Sequence, residues 1–152
     1  NATRPVVGSE LIDYNGFREL TTKVQPVRSQ RLISLSEFKT RATQANVLIL
    51  DARSAQAFAE GHITGAINLP LPDFTAESLG QVIGANPDRE ILIYCNNNFI
   101  NNRRPVMTKA LPLALNIQTF INLYGSGYKN VWELGEAVDM DDPRVGWVSA
   151  AT

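Results

Sequence analysis

The sequence contains few of the residues that bind metals or form disulfides. Among its 152 residues there is one cysteine and one histidine. A single cysteine cannot form a disulfide within the chain, and a single histidine leaves no zinc or iron site of the usual kind. We therefore expect no metal and no other cofactor.

Long apolar runs and an excess of charge of one sign are also missing. The apolar runs are far shorter than the roughly 20 residues that a membrane-spanning helix needs. The formal net charge is −1, which gives no field that would attract nucleic acid. The expected partners thus include neither a nucleic acid nor a membrane, and the oligomeric state stays open.

Short apolar runs alternate with segments of helical character. Residues 47–50, 66–69, 90–94 and 130–134 are typical of buried strands, and helices are predicted around 54–60, from 75, and from Pro112. This alternation predicts an α/β fold with a mainly parallel central sheet and helices on both faces. We divide the chain into an N-terminal extension (1–29) that wraps the domain with at most a strand or a turn of helix, a single domain (30–140), and a C-terminal tail (141–152) with a short strand.

The chain starts without methionine, and Asn1-Ala2 resembles the remnant of a cleaved tag. A trimmed signal peptide is one ordinary reason for such a start. This favours a periplasmic or otherwise exported protein slightly over a cytoplasmic one.

Cys95 is the residue with the clearest chemical potential. It follows the apolar strand 90–94, at the edge of the sheet where ligands bind in α/β folds. Residues 91–132 contain no Asp or Glu but four Lys or Arg. A helix N-terminus and this positive stretch predict a lowered thiol pKa, a reactive thiolate and an anionic substrate. The alternative is that Cys95 is a small buried apolar residue.

Asparagine dominates the segment after Cys95. Five of the seven residues between Cys95 and Arg103 are Asn, and the segment has no glycine. Asn tolerates left-handed backbone and its amide can donate to an anion. We expect Asn96, Asn97 and Asn98 to form an anion cradle, Phe99 to anchor it by burial, and either Arg103 or Arg104 to bind the anion. A solvated, flexible loop is the alternative.

Two other segments complete a recognisable set of motifs. Residues 47–70 read VLILDARS…FAEGHITGAINLP, residues 91–95 read ILIYC, and residues 127–134 read GYKNVWEL. This set resembles rhodanese-like domains over residues 30–136. The resemblance implies that Cys95 accepts a sulfane sulfur as a persulfide, held by backbone amides of its loop, and passes it to a nucleophile. It also implies mainly structural roles for Asp51 and Arg53, which bond loops together, and a turn-fixing role for His62.

The chain departs from that family's pattern in the loop after the cysteine. The usual short loop of the type C-x-x-G-x-R is replaced by a longer, glycine-free segment beginning CNNNF, and the first Arg comes at C-x7-R. The main hypothesis is a sulfurtransferase with a small anionic sulfur donor and a thiol or cyanide-like acceptor. The alternative is a non-catalytic rhodanese-like binding or regulatory module in which the long loop covers Cys95. A cysteine-dependent phosphatase or arsenate reductase is disfavoured by the spacing to Arg103. The acidic run from Glu133 to Asp142 is interpreted as solvated surface, with a partner-binding patch as the alternative.

Overall fold

The computed structural model describes residue 8 and residues 10–150. Over these residues helices alternate with strands: α1 (Tyr14–Ser29), β1 (Leu32–Ile33), α2 (Leu35–Ala42), β2 (Leu48–Asp51), α3 (Ala55–Glu60), β3 (Gly61–Ile63), β4 (Ile67–Asn68), α4 (Ala76–Ile83), β5 (Ile91–Tyr94), α5 (Leu115–Gly125), β6 (Val131–Leu134) and β7 (Trp147–Ser149). Short 3₁₀ turns cover Leu71–Asp73, Asn96–Asn98, Leu111–Leu113 and Pro143–Val145. Asn1 and Ala2 lie outside the described residues.

Five strands form a parallel sheet in the order β1-β6-β5-β2-β4, with β5 in the centre. Every residue of β2 and β5 is buried, as their continuous apolar sequences predict. Alternate residues of β5 face opposite sides: Leu92 and Tyr94 join a core with α2, whereas Ile91 and Ile93 join a core with α1, α4 and α5. The predicted α/β fold, with helices on both faces of a parallel sheet, is confirmed.

The N-terminal extension is more regular than the sequence prediction. Residues 14–29 form the 16-residue helix α1, capped by Asp13, whose carboxylate accepts from the backbone N–H of Gly16. The helix packs on α5 and buries Val24 in the core. Pro26 lies inside the helix and led to the weaker prediction, but proline removes only one intrahelical hydrogen bond, which the packing of α1 compensates.

Two other segments differ in detail from the sequence prediction. Pro112 lies in a 3₁₀ turn, and α5 begins only at Leu115 because Ala114 is extended, with φ −53° and ψ 132°. At the other end of the chain, β7 pairs antiparallel with β3, with His62 opposite Val148. This small second sheet closes over the core that contains α2.

Candidate active site

Cys95 lies directly after the central strand β5 and begins the 3₁₀ turn Asn96–Asn98. Its side chain is buried, since the residue is 1% exposed. The carboxyl ends of β2, β5 and β6 meet at this edge of the sheet because these strands are parallel neighbours. The structure therefore places Cys95 where the sequence predicts it, at the ligand-binding edge of an α/β sheet.

Asn98 organises the backbone around Cys95. Its Oδ1 accepts from the backbone N–H of Cys95 at 3.0 Å and from Nδ2 of Asn116 at 2.8 Å. Its Nδ2 donates to the carbonyl oxygens of Leu134 at 2.9 Å and Glu136 at 3.0 Å. Asn98 is 7% exposed, so these four bonds use its entire amide in the interior. They join the cysteine, the start of α5 and the end of β6.

A long covering segment, residues 99–114, lies over this edge of the sheet. Phe99 anchors it, being 2% exposed and in edge contact with Tyr94 and Trp147. Farther along, Asn96 donates to the carbonyl of Met107 at 3.1 Å. Phe99 is thus buried, as the sequence predicts, and it packs against two aromatic side chains.

Asn97 makes a paired contact with the same segment. Its Nδ2 donates to the carbonyl of Lys109 at 3.0 Å, and its Oδ1 accepts from the N–H of Lys109 at 2.9 Å. The amides of the Asn-rich loop are therefore bonded to the chain's own backbone. They form neither a solvated loop nor an open ring of donors for an anion.

Several groups around Cys95 shift the pKa of its thiol in opposite directions. Burial raises the pKa of Cys95, and the carboxylate of Glu133 raises it further. Interactions with the backbone N–H groups of Asn116, Asn97 and Leu115 lower it, but the net direction is upward. This is opposite to the lowered pKa predicted from the sequence. Desolvation of the thiolate outweighs the N–H groups because the side chain is almost wholly withdrawn from water.

A cavity of about 280 Å³ adjoins Cys95. Arg28 and Glu133 line it and form an ion pair with two hydrogen bonds, of 2.7 and 2.6 Å. Glu133 is 3% exposed, so its placement on a solvated acidic surface was wrong. Neither residue was among the candidates from the sequence. The available signal was a carboxylate inside the apolar strand β6, because a buried charge requires a partner.

The remaining lining of this cavity includes Asn116, which sequence reasoning also missed, and the exposed Glu136. Asn116 is 4% exposed, and among the described residues its Oδ1 has no hydrogen-bond partner. Glu136 accepts from the backbone N–H of Leu35 at 2.8 Å, at the start of α2. Leu32 and Leu111, both exposed, give the cavity an apolar margin.

Asp51, the last residue of β2, and Arg53, in the loop that follows, form a buried pair. Nη2 of Arg53 lies 2.7 Å from Oδ2 of Asp51, and both side chains are almost fully buried. Arg53 also donates to the carbonyl of Gly61 at 2.6 Å and to Oδ1 of Asn96 at 3.4 Å. The hydroxyl of Tyr94 donates to Asp51 and accepts from the backbone N–H of Ile63 in β3. The pair thus joins three loops.

His62 lies away from the thiol, in β3. Its Nδ1 is 2.8 Å from the carbonyl of Phe58, and its ring stacks on Phe58 with centroids 3.8 Å apart. These contacts fix the turn between α3 and β3. They correspond to the structural role that the resemblance implies.

Arg103 and Arg104 are turned toward surface carboxylates. Arg103 pairs with Asp141 at 2.9 Å and Arg104 with Glu60 at 2.7 Å, and both arginine side chains are more than half exposed. Neither lines the cavity at Cys95. The structure therefore does not bring the predicted anion-binding arginines to the thiol, because acidic residues distant in sequence neutralise them.

A larger cavity, of about 630 Å³, lies on the other side of Asn97. It is lined by Arg53, Lys109 and Asp73, among others, but not by Cys95. In the part of the chain that the structure describes, no three His, Cys, Asp or Glu side chains come together as metal ligands. None of the described helices has the length and apolarity required to cross a bilayer.

The family model described as rhodanese-like domain matches residues 34–136. The HTH-type transcriptional regulator Rv0324 of Mycobacterium tuberculosis is 33% identical over 67 residues, which are 44% of this chain and 28% of that protein.

Among solved structures, the Alr3790 protein of Anabaena is 21% identical with a TM-score of 0.49, covering 67% of this chain and 68% of the other. The polysulfide-sulfur transferase homodimer of Wolinella succinogenes is 12% identical with a TM-score of 0.45, covering 82% and 80%.

Proposed function

Because the chain belongs to the rhodanese-like domain family, we propose that it is a sulfurtransferase that carries sulfane sulfur as a persulfide on Cys95. The observation that supports this most directly is the position of the thiol. Cys95 follows the central strand, interacts with three backbone N–H groups and adjoins a cavity large enough for a small sulfur compound. Cys95 is the single cysteine of the chain, so the acceptor of the sulfur must be an external nucleophile.

The proposed transfer has two balanced steps. In the first, the sulfur of Cys95 attacks the outer sulfur of a donor R–S–SH, a Cys95–S bond forms, the S–S bond of the donor breaks, and R–SH leaves with the proton from Cys95. In the second, a thiol or cyanide-like acceptor attacks the outer sulfur of the persulfide, a bond between the acceptor and this sulfur forms, the S–S bond to Cys95 breaks, and Cys95 leaves as the thiol while the acceptor departs as a persulfide or thiocyanate. The outer sulfur changes partner without net oxidation or reduction, so no redox cofactor is required.

Within this scheme we assign the holding of the charged sulfur to backbone amides. The N–H groups of Asn97, Leu115 and Asn116 stabilise the thiolate and then the persulfide, as they already lower the pKa of the thiol. Asn98 acts as a positioning residue through its bond to the backbone of Cys95. Asp51, Arg53 and His62 support the loops around it.

The other residues predicted to bind an anion have a smaller part in the proposal. Asn96 and Phe99 hold the covering segment in place. Both Arg103 and Arg104 pair with surface carboxylates, so direct anion binding by either of them remains a sequence prediction. The small anionic sulfur donor also remains a sequence prediction.

A second function has its own support. A thiol that is 1% exposed, with a raised pKa, also suits a non-catalytic binding or regulatory module whose cysteine is covered. In that case residues 99–114 would present a surface to a protein, and Cys95 would serve only as core.

The two functions are separated by the mass of the intact protein after incubation with sulfane sulfur donors. A catalytic Cys95 gains about 32 Da, one sulfur atom, and loses it again to an added thiol. The control is Cys95→Ser, which should gain nothing. The sulfurtransferase proposal is refuted if none of the donors gives the adduct.

A further inference from the structure

The charges that surround the thiol differ from those that surround it in sequence. The segment around Cys95 is free of acids over residues 91–132, yet the cavity beside Cys95 is lined by Glu133 and Glu136. The one cation among its lining residues in the described chain is Arg28. Arg28 is already committed to Glu133 through two hydrogen bonds. The side chains of the cavity thus carry one positive and two negative charges.

Hydrogen-bonding capacity points the same way. The orientation of the Asn116 amide is fixed, because its Nδ2 donates to Oδ1 of Asn98, whose own Nδ2 donates to two carbonyls. The atom of this amide that lacks a partner among the described residues is therefore an acceptor, Oδ1 of Asn116. A buried acceptor without a partner favours a ligand that brings a hydrogen-bond donor.

The margin of the cavity is apolar. Leu32 is 42% exposed and Leu111 is 77% exposed, and both line the opening. A small inorganic dianion gains nothing from these side chains, whereas the alkyl part of an organic sulfur compound can cover them.

We propose that the Cys95 cavity accepts sulfur from an uncharged organic hydropersulfide and selects against dianionic donors such as thiosulfate. This inference rests on the proposed sulfur transfer and specifies its substrate class. The protonated form R–S–SH supplies the donor that the acceptors of the cavity require, and its outer sulfur is the atom that Cys95 attacks. A dianion would instead approach the carboxylate of Glu136, since Arg28 and Glu133 neutralise each other.

The first measurement tests the charge of the cavity without sulfur transfer. Rate constants for alkylation of Cys95 are measured with neutral iodoacetamide and anionic iodoacetate. The rate constant for iodoacetamide divided by that for iodoacetate is then compared with the same ratio for an uncharged model thiol. We expect a ratio at least about tenfold above the model thiol. Glu136→Gln should lower this ratio, whereas Glu77→Gln, a change at an exposed residue in α4, should not. Equal ratios for Cys95 and the model thiol would overturn the inference.

The second measurement compares donors of similar size. Persulfide formation on Cys95 is timed with 2-hydroxyethyl hydropersulfide, 2-carboxyethyl hydropersulfide and thiosulfate, using intact mass. We expect the hydroxyethyl donor to react at least about tenfold faster than thiosulfate, with the carboxyethyl donor between them. Glu133→Gln and the more exposed Glu136→Gln should each reduce the difference.

The outcomes are distinct for the two proposals. If thiosulfate reacts as fast as the hydroxyethyl donor, the donor selection is wrong while sulfur transfer stands. If no donor modifies Cys95, sulfur transfer itself is wrong and the donor selection falls with it, whatever the alkylation ratio shows.

Discussion

The most informative single substitution is Asn98→Ala, because the whole amide of this residue is used in the interior. The change removes two bonds that Asn98 accepts, from Cys95 and Asn116, and two that it donates, to Leu134 and Glu136. At about 1 kcal/mol of net stabilisation per hydrogen bond, the loss amounts to about 4 kcal/mol. We therefore expect the free energy of unfolding to fall by about that amount.

The matched control is Asn101→Ala, in the same Asn-rich loop. Asn101 makes two side-chain hydrogen bonds, to Asp139 and to the backbone N–H of Met140, and the bond to Asp139 is exposed to solvent. Its removal should cost about 1 kcal/mol or less, since water replaces the lost partner. Both variants are compared with the wild type by urea denaturation followed by fluorescence and circular dichroism.

The same variant has a chemical consequence. Without Asn98 the backbone N–H of Cys95 loses its acceptor, and the 3₁₀ turn after Cys95 loses its link to the end of β6. Alkylation of Cys95 in native buffer should therefore accelerate in Asn98→Ala but not in Asn101→Ala. A stability loss below about 1 kcal/mol, with unchanged alkylation, would show that Asn98 does not organise the site.

The remaining predictions concern packing, a buried ion pair and pH. Gly61→Ala should destabilise the protein by about 1–3 kcal/mol because a Cβ there would lie 2.5 Å from Nε1 of the half-buried Trp147. Gly80→Ala, with open space around a helical glycine, should stabilise the protein by up to about 1 kcal/mol, and thermal unfolding of both variants tests this. Arg53→Met should lower the free energy of unfolding by about 3–5 kcal/mol, because it leaves the buried carboxylate of Asp51 unpaired. Arg103→Met removes an exposed ion pair and should lower it by less than about 1 kcal/mol. Similar losses for the two variants in urea titrations would contradict the difference in burial between the two ion pairs. Burial raises the pKa of Cys95 in the folded protein above that in the unfolded chain. The contribution of the protonated thiol to the free energy of unfolding is therefore complete below the ordinary thiol pKa, and it is lost as the pH rises through the pKa of the folded protein. The free energy of unfolding should thus decline above about pH 8.5 with a component that Cys95→Ser removes, and an identical slope in that variant would refute the raised pKa.

The sheet was predictable because its strands carry a local signal. The continuous apolar sequences of β2 and β5 are required by burial on both faces, and the helices between parallel strands follow from the need for crossover connections. Helix α1 was less visible. Its apolar residues Phe17, Leu20, Val24 and Val27 have helical spacing, but Pro26 suggested an interruption that the contact with α5 overrides.

The conformation of the covering segment could not be predicted, since nothing in its sequence is periodic. Its shape depends on side-chain amides that bond to backbone groups eleven or twelve residues away, as Asn96 does to Met107 and Asn97 to Lys109. A composition rich in Asn identifies residues able to make such bonds without indicating which carbonyls they will meet.

The charge of the site was misjudged for a related reason. A stretch of sequence without acids was taken for a region of space without acids. The parallel neighbour β6 pairs with β5 in a register that sets Glu133 opposite Ile93, two residues before the cysteine. The pairing of β5 with β6 therefore places a carboxylate near the thiol, although Glu133 is nearly forty residues away in sequence. This proximity can be inferred only when the strand order is known.

The sulfur of Cys95 has a structural use that bears on every experiment with it. Helix α5 begins without a side-chain cap, and the N–H groups of its first residues, Leu115 and Asn116, interact with the thiol. The sulfur thus lies near the N-terminal end of α5, where other helices place a capping oxygen. A serine hydroxyl can accept the same N–H groups, whereas alanine would leave them unpaired at a buried helix end. Cys95→Ser is consequently the variant that removes the chemistry of this site while keeping its architecture.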